Sequence, residues 1–421
     1  MTELPARKLV KQLIPALLAG VGSALVLVLM DLIAETWLHH LIWETLPSAL
    51  GFTHDSRWWI FIVLTFAGVA VGLTVWLIPG HAGPDPATVG LMHAPSPVST
   101  VPSLLLAAII GLACGVSLGP EFPILGANVS LAIAFGARML PQVTSSQWAG
   151  LASAGTIGAL FGTPIAAALM LTETLATQKS DESLWDRLFA PLAAAAAGGL
   201  TALALSSGGT MSMNLPAFPG LRLPGFLAAF AIAMAAAIVG LAATWVFPRL
   251  YRLFHQLRHP FVILVAGGVC LGLLGALGGE ITLFKGLEQM QELATRYSSE
   301  SAGALAAITG IKLLALLVAG VTGFRGGKIF PAVFIGAAFG FLVHALLPSI
   351  PVSLTVACSV LGITLAITRS GWISIFVAAA LVPNPVVLMV LAITVLPAWL
   401  IVTGRPEMIA GQPVAVTPSR A

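Results

Sequence analysis

Ionisable side chains are scarce in this sequence. Lysine, arginine, aspartate and glutamate make up 8% of the 421 residues, while 58% are hydrophobic and the mean hydropathy is +1.00. So little charge, set against apolar runs that recur from end to end, excludes a water-soluble globular domain and reads as an all-α polytopic membrane protein. The lipid bilayer is then its first partner. Cysteine is sparse too: Cys114, Cys270 and Cys358 stand singly inside apolar runs, which supports neither a disulfide framework nor a zinc site. The eight histidines form no HExxH or comparable ligand pair, and the adjacent His39 and His40 fall on different helix faces, as interfacial residues do. No metal and no cofactor is expected. A net charge of +3, scattered along the chain, leaves no footprint for nucleic acid.

Acids are rarest in the middle of the first half, where Glu121 is the one carboxylate between Asp85 and Glu173. It sits in GVSLGPEFP, Gly115 to Pro123, and the apolar run Ile124 to Leu140 follows at once. A charged side chain at membrane depth costs about 2.5 to more than 10 kcal/mol, so an ionisable residue there is a functional candidate by default. Pro120 and Pro123 suit the first turn of a helix, which leaves backbone donors unpaired anyway. A helix beginning near Phe122 would aim free N–H groups and about half a positive charge into the membrane interior, a ready anion site. Glu121 would be a tethered anion at its mouth.

The rest of the chain is organised around such breaks. Arg7, Lys8 and Lys11 precede a first span, Leu13 to Met30, too long for a signal-peptide core, and place the N-terminus in the cytoplasm. Asp31 and Glu35 close that helix, and Trp37 and Trp43 mark the opposite interface. A span from Trp58 to Ile78 leads into the loop Gly80 to Gly90 and a short helix to about His93. Ser153 to Leu175 is an apolar pair cut at Gly162 and Pro164, and SSGGTMSMNLP links two halves. The second half crosses from Phe226 to Phe247, makes a basic turn through PRLYRLFHQLRHP, and crosses again from Phe261 to Leu277. Lys285 to Ser301 is the longest extramembrane loop and suits an amphipathic helix. Then GVTGFRGGKIFP, Gly320 to Pro331, a helix and LLP repeat the order GVSLGPEFP, helix, MLP of the first half. Leu361 to Leu381 loosely echoes the pair cut at Gly162. Paired interrupted helices in two halves point to a transporter site near the bilayer midplane. The layout expected is a tail at 1–11, a first repeat at 12–207, a linker at 208–220, a second repeat at 221–410 and a tail at 411–421.

GPEFP with its helix, GGKIFP, and the order of breaks around them resemble the CLC family of chloride channels and transporters over residues 12 to 410. The family's first pattern is Gly-Arg/Lys-Glu-Gly-Pro; Gly119, Glu121 and Pro123 match it, while Pro120 and Phe122 depart. By that match Glu121 corresponds to the external gating glutamate, a carboxylate that competes with permeant anions for the pore. The second pattern is Gly-x-Phe-x-Pro; Gly327 and Pro331 match, Ile329 stands at the phenylalanine place, Phe330 is displaced by one, and Lys328 puts a cation beside the anion path. The resemblance thus implies anion contacts from Gly119, Pro120, Phe122, Gly327, Lys328, Ile329 and Phe330. AGPDP, Ala82 to Pro86, falls where the family usually has Gly-Ser-Gly-x-Pro, and Met408 falls where the final helix carries a tyrosine. Gly83 and Met408 are therefore the inner-gate candidates, without either hydroxyl. Glu173 matches a widely shared glutamate, and Thr174 stands where many proton exchangers place a second one; these two are the proton-pathway candidates. The resemblance also implies two inverted-topology repeats, a homodimer, a bacterial inner-membrane location with both termini cytoplasmic, and no paired cytoplasmic regulatory domains after Met408.

Small inorganic anions, chloride foremost, are thus the expected cargo. Glu121 when ionised fills the outer part of the anion site, and protonation frees it. Passive conduction is favoured over anion/proton exchange, because both hydroxyls and the second glutamate are missing. Duller readings stand beside these: Glu121 as a helix cap, Lys328 snorkelling to a vestibule or pairing with Glu121, Glu173 in helix packing, Met408 as core filler, Asp85 as a turn residue. GVSLG also satisfies the nucleophile elbow around Ser117, but that motif needs a strand before it, and no triad emerges. Enzyme activity is not expected. A cation carrier would want rings of carboxylates or carbonyls, which the scarcity of intramembrane acids disfavours.

Overall fold

In lipid every backbone polar group must be satisfied within the protein, so apolar runs of this length fold as helices. The computed structural model describes residues 5–53, 56–176, 182–205, 211–220 and 222–411. The first half comprises α1 (Ala6–Asp31), α2 (Leu46–Leu50), α3 (Arg57–Leu77), α4 (Val101–Ala113), α5 (Glu121–Met139), α6 (Ser145–Phe161), α7 (Pro164–Ala176) and α8 (Leu184–Leu205). The second comprises α9 (Leu223–Phe254), α10 (Pro260–Gly278), α11 (Leu287–Arg296), α12 (Ala302–Val321), α13 (Ile329–Leu346), α14 (Val352–Thr368), α15 (Gly371–Leu381) and α16 (Pro385–Val402). Among the described residues there is no strand, and nine helices are long and apolar enough to cross a membrane.

The two halves are inverted-topology repeats in which most helices correspond in order, although α2 and α11 have no counterpart. α1 packs on α6 and α8 as α9 packs on α14 and α16; α4 leads into α5 as α12 leads into α13. Each half also carries a broken pair. Gly162, with φ +65°, closes α6 before α7, and Arg369, with φ +58°, closes α14 before α15. Close helix approach depends on small residues, as membrane interfaces favour. Where α1, α6 and α8 cross, a side chain at Gly20, Gly155 or Gly198 would strike a neighbouring main chain, and in the second half Gly362 lies as tightly on Ala233 and Ala236.

Several local expectations are corrected. After Asp31 the helix does not close; wider π-type turns over Leu32–Leu38 and His40–Thr45 carry it on to α2. Trp37 is exposed, but Trp43 is only 2% exposed, and its indole N–H donates to the Ala113 carbonyl at 2.9 Å. It serves an orphaned carbonyl at the end of α4 instead of marking an interface. No helix reaches His93: residues 84–97 run as turns and extended chain, because Pro84, Pro86, Pro95 and Pro97 deny regular hydrogen bonding. The basic stretch beginning at Pro248 is not a turn at first, since α9 runs through it to Phe254. Within Lys285 to Ser301 the expected amphipathic helix is present as α11, which buries Met290 and Leu293 and pairs Arg296 with Glu292 at 2.9 Å on its outer side.

Candidate functional site

The breaks of the two halves meet. The Gly119 N–H donates to the Gly327 carbonyl at 2.9 Å, and the Gly327 N–H returns the bond to Gly119 at 2.6 Å, a two-residue antiparallel bridge joining the repeats. Each glycine stands just before a helix, so the N-termini of α5 and α13 converge at one place. Their first turns carry amides that no helical carbonyl can satisfy. Glu121, the first residue of α5, is 1% exposed. Its Oε1 accepts the Phe330 N–H at 2.8 Å, a bond that reaches from the first repeat to the second turn-opening amide of the other. Oε2 is buried with no partner among the described residues. A Cβ at Gly119 or at Gly327 would meet this carboxylate and make it shift, so glycine on both sides leaves it its seat.

Beside the carboxylate lies a cavity of about 70 Å³, bounded by Glu121 and Phe122 on one side, Gly327 to Ile329 on another, and Pro86, Ala87 and Met408 beyond. Of the seven residues expected at the anion, Phe122, Gly327, Lys328 and Ile329 line this cavity. Gly119 and Pro120 shape the turn before α5, and Phe330 contributes its amide while its ring rests on Phe161, 5.8 Å between centroids. Phe122 stacks on His93 at 4.9 Å.

Lys328 does not turn to Glu121. Its Nζ donates to the Met408 carbonyl and pairs with Glu407 Oε1, each at 2.8 Å. Successive residues entering a helix point about 100° apart, which sends this side chain away from the Phe330 amide and toward the segment after α16. Met408 is buried at the cavity, held by its N–H to the Ile367 carbonyl at 3.3 Å. Gly83 is not in the cavity wall: its carbonyl faces Arg325 Nη2 at 3.3 Å.

Arg325, within the second break, was not singled out by its sequence position and organises this region. Its guanidinium donates to the carbonyls of Ala82 (2.8 Å), Gly323 (2.7 Å), His81 (3.2 Å) and Gly83. Three of those partners, His81, Ala82 and Gly83, belong to a left-handed turn in which Gly80, His81, Ala82 and Gly83 all have positive φ, between +50° and +91°. For His81 and Ala82 that conformation costs about 1 to 2 kcal/mol each, and the fixed fork of the arginine holds it. Asp85, past the turn, accepts the Ala87 N–H at 2.9 Å and the Tyr251 hydroxyl at 3.3 Å, so it ties the loop to α9 as well as turning it.

Glu173 lies apart from the cavity lining. Its oxygens accept the Ser370 hydroxyl at 2.6 Å and the Trp372 N–H at 3.2 Å, so it caps α15 from the opposite repeat. Thr174 belongs to α7, and its side chain lies outside the described residues. Ser117 is buried after α4, with no strand before it and no hydrogen-bond partner for its hydroxyl among the described residues, which is not the geometry of a nucleophile elbow. The signal for Glu407 was adjacency to Met408; its pairing across the fold with Lys328 left none.

Known proteins share the family and the fold of this chain. The family model described as voltage gated chloride channel matches residues 67–403. The chain is 48% identical over 409 residues to a protein of Escherichia coli K12 provisionally named ion-transport protein YfeO, covering 97% of both chains. A protein of that name from Escherichia fergusonii is 47% identical over the same length. Among solved structures, a slow cyanobacterial Cl⁻/H⁺ antiporter superposes with a TM-score of 0.75 at 16% identity, covering 96% of this chain and 97% of its own. A CLC-type fluoride/proton antiporter follows with a TM-score of 0.71 at 20% identity, over 95% and 97% of the two chains.

Proposed function

We propose, from the premise that this chain belongs to the voltage-gated chloride channel (CLC) family, that it conducts small inorganic anions, chloride foremost, through the cavity beside Glu121. The observation that carries this is the bond from the Phe330 N–H to Glu121 Oε1 across the Gly119–Gly327 bridge. An anion leaving water needs its shell replaced, and amides at converging helix ends do so without a full opposing charge. Glu121 takes that seat when ionised. Protonation removes its attraction to the amide and leaves the seat to an inorganic anion, so conduction rises as pH falls. Gly119, Pro120, Phe122, Gly327 and Ile329 shape the seat, and Met408 closes the cavity opposite.

Passive conduction is the first reading. Glu173, which a proton route from the other side would use, is engaged as the cap of α15, and Thr174 cannot carry a proton by ionising. Coupled exchange is the second, favoured by the antiporters among the structural relatives and by a titratable Glu121 in the anion seat. The same reading extends to a homodimer in the bacterial inner membrane with both termini cytoplasmic. Liposomes holding the purified protein decide between the two mechanisms. Chloride efflux that proceeds equally with and without a proton ionophore supports conduction. Uphill proton movement driven by a chloride gradient supports exchange, and no anion flux of either kind overturns both.

A further inference from the structure

Resting on that anion-path reading, we propose that Glu407 is a second tethered anion of the same cavity, holding Lys328 while the cavity is empty and yielding it to the inorganic anion that enters. Glu407 and Lys328 both line the cavity that Glu121 bounds. Their side chains are 29% and 19% exposed, and the Oε1 to Nζ distance is 2.8 Å. A lysine this withdrawn from water needs a counter-charge, since a lone ammonium in a partly dry site is costly. An ammonium carries three donors, and Met408 and Glu407 engage two of them, so one remains for a third partner.

The backbone around Glu407 is fixed while its carboxylate is not. Met408 N–H holds Ile367, and Ala410 N–H holds the Ala87 carbonyl at 2.7 Å, which pins the segment against the cavity wall. On the other face of the carboxylate stands Gly90, where even an added Cβ would lie 3.8 Å from Oε2. Gly90 therefore sets no side chain against the carboxylate on that side. A cavity of about 70 Å³ holds only a few water-sized species, on the order of five. An anion there faces Glu121 at the amide end and Glu407 at the lysine end; Lys328 is the cation of the lining, and Arg369 acts on Glu407 from outside it. Anion and Glu407 then compete for Lys328 as anion and Glu121 compete for the Phe330 amide. This puts a cation with an exchangeable counter-ion beside Met408, which falls where the family pattern has a tyrosine hydroxyl.

The test titrates chloride, and fluoride as a second probe, into the full-length protein in detergent by calorimetry, alongside chloride efflux from liposomes. Glu407→Gln is expected to tighten chloride binding about tenfold by removing a like charge. Lys328→Met weakens it, and the double variant Lys328→Met/Glu407→Gln binds as weakly as Lys328→Met, because the gain acts through the lysine. Glu407→Asp retracts the carboxylate by one methylene and shifts binding in the same direction by less, which keeps the test open if the glutamine variant does not fold. Chloride affinity within twofold of wild type in both Glu407 variants, or a gain that survives in the double variant, overturns the proposal and leaves the pair a structural staple. If Glu121→Gln accelerates efflux while the Glu407 variants are silent, this inference alone falls; if Glu121→Gln is silent too, the anion-path reading falls with it.

Discussion

The two breaks occupy corresponding places in the repeats and are built from opposite chemistry. The first, GVSLGPEFP, carries one acid and no cation; the second, GVTGFRGGKIFP, carries two cations and no acid. Glu121 of the first accepts, and the Phe330 amide of the second donates. Support is equally lopsided. Arg325 steadies the loop beside the second break from within it, whereas the first is steadied from outside by Lys312 of α12. That lysine is fully buried and donates to the carbonyls of Thr282 (3.1 Å), Leu283 (2.6 Å) and Phe284 (2.7 Å), and the Phe284 N–H in turn holds the Gly115 carbonyl at 3.0 Å. The two halves thus share a backbone pattern while the side chains of their breaks differ in charge. The Gly119–Gly327 bridge is where both the symmetry and its violation are most evident.

That asymmetry can be broken one member at a time. Arg325→Ala leaves four carbonyls and a left-handed turn uncompensated, and should cost about 4 kcal/mol, read as a large fall in thermal stability that Arg325→Lys only partly recovers. Lys312→Met should cost about 3 kcal/mol by stripping three buried carbonyls of their donor and losing the contact with the Phe334 ring, 5.1 Å from Nζ. Its mark is a loss of stability with the anion selectivity of the surviving protein unchanged. Glu121→Gln should raise chloride efflux about tenfold, equivalent to about 1.4 kcal/mol, and flatten its dependence on pH. Ser117→Ala sharpens the contrast from the other end: its hydroxyl is buried without a partner among the described residues, so its removal should leave stability level or raise it by about 1 kcal/mol and not change efflux. A large flux change in that variant would move the anion site toward the first break.

What the sequence makes legible follows the physics of each signal. Breaks print themselves in the sequence, because proline and glycine are what an interrupted helix needs; hence the junctions at Gly119, Gly162 and Gly327 stood out. A lone acid in lipid prints itself too, which is why Glu121 was found. Partnerships across the fold do not. Nothing local ties Lys328 to Glu407, or Arg325 to the carbonyls of His81 and Ala82, and the left-handed turn runs through two residues with no preference for it. Trp43 misled for a related reason: a tryptophan near a helix end suits an interface, and only the widened turns after Asp31 rotate it into the core.

The central claim is that Glu121 sits where a dehydrated anion belongs, and anomalous diffraction from crystals of Glu121→Gln grown in bromide tests it most directly. A bromide peak within hydrogen-bond reach of the Phe330 N–H, absent from wild-type crystals at high pH, is the predicted result. An unoccupied amide in the variant, with bromide elsewhere or nowhere along the path, would contradict the account.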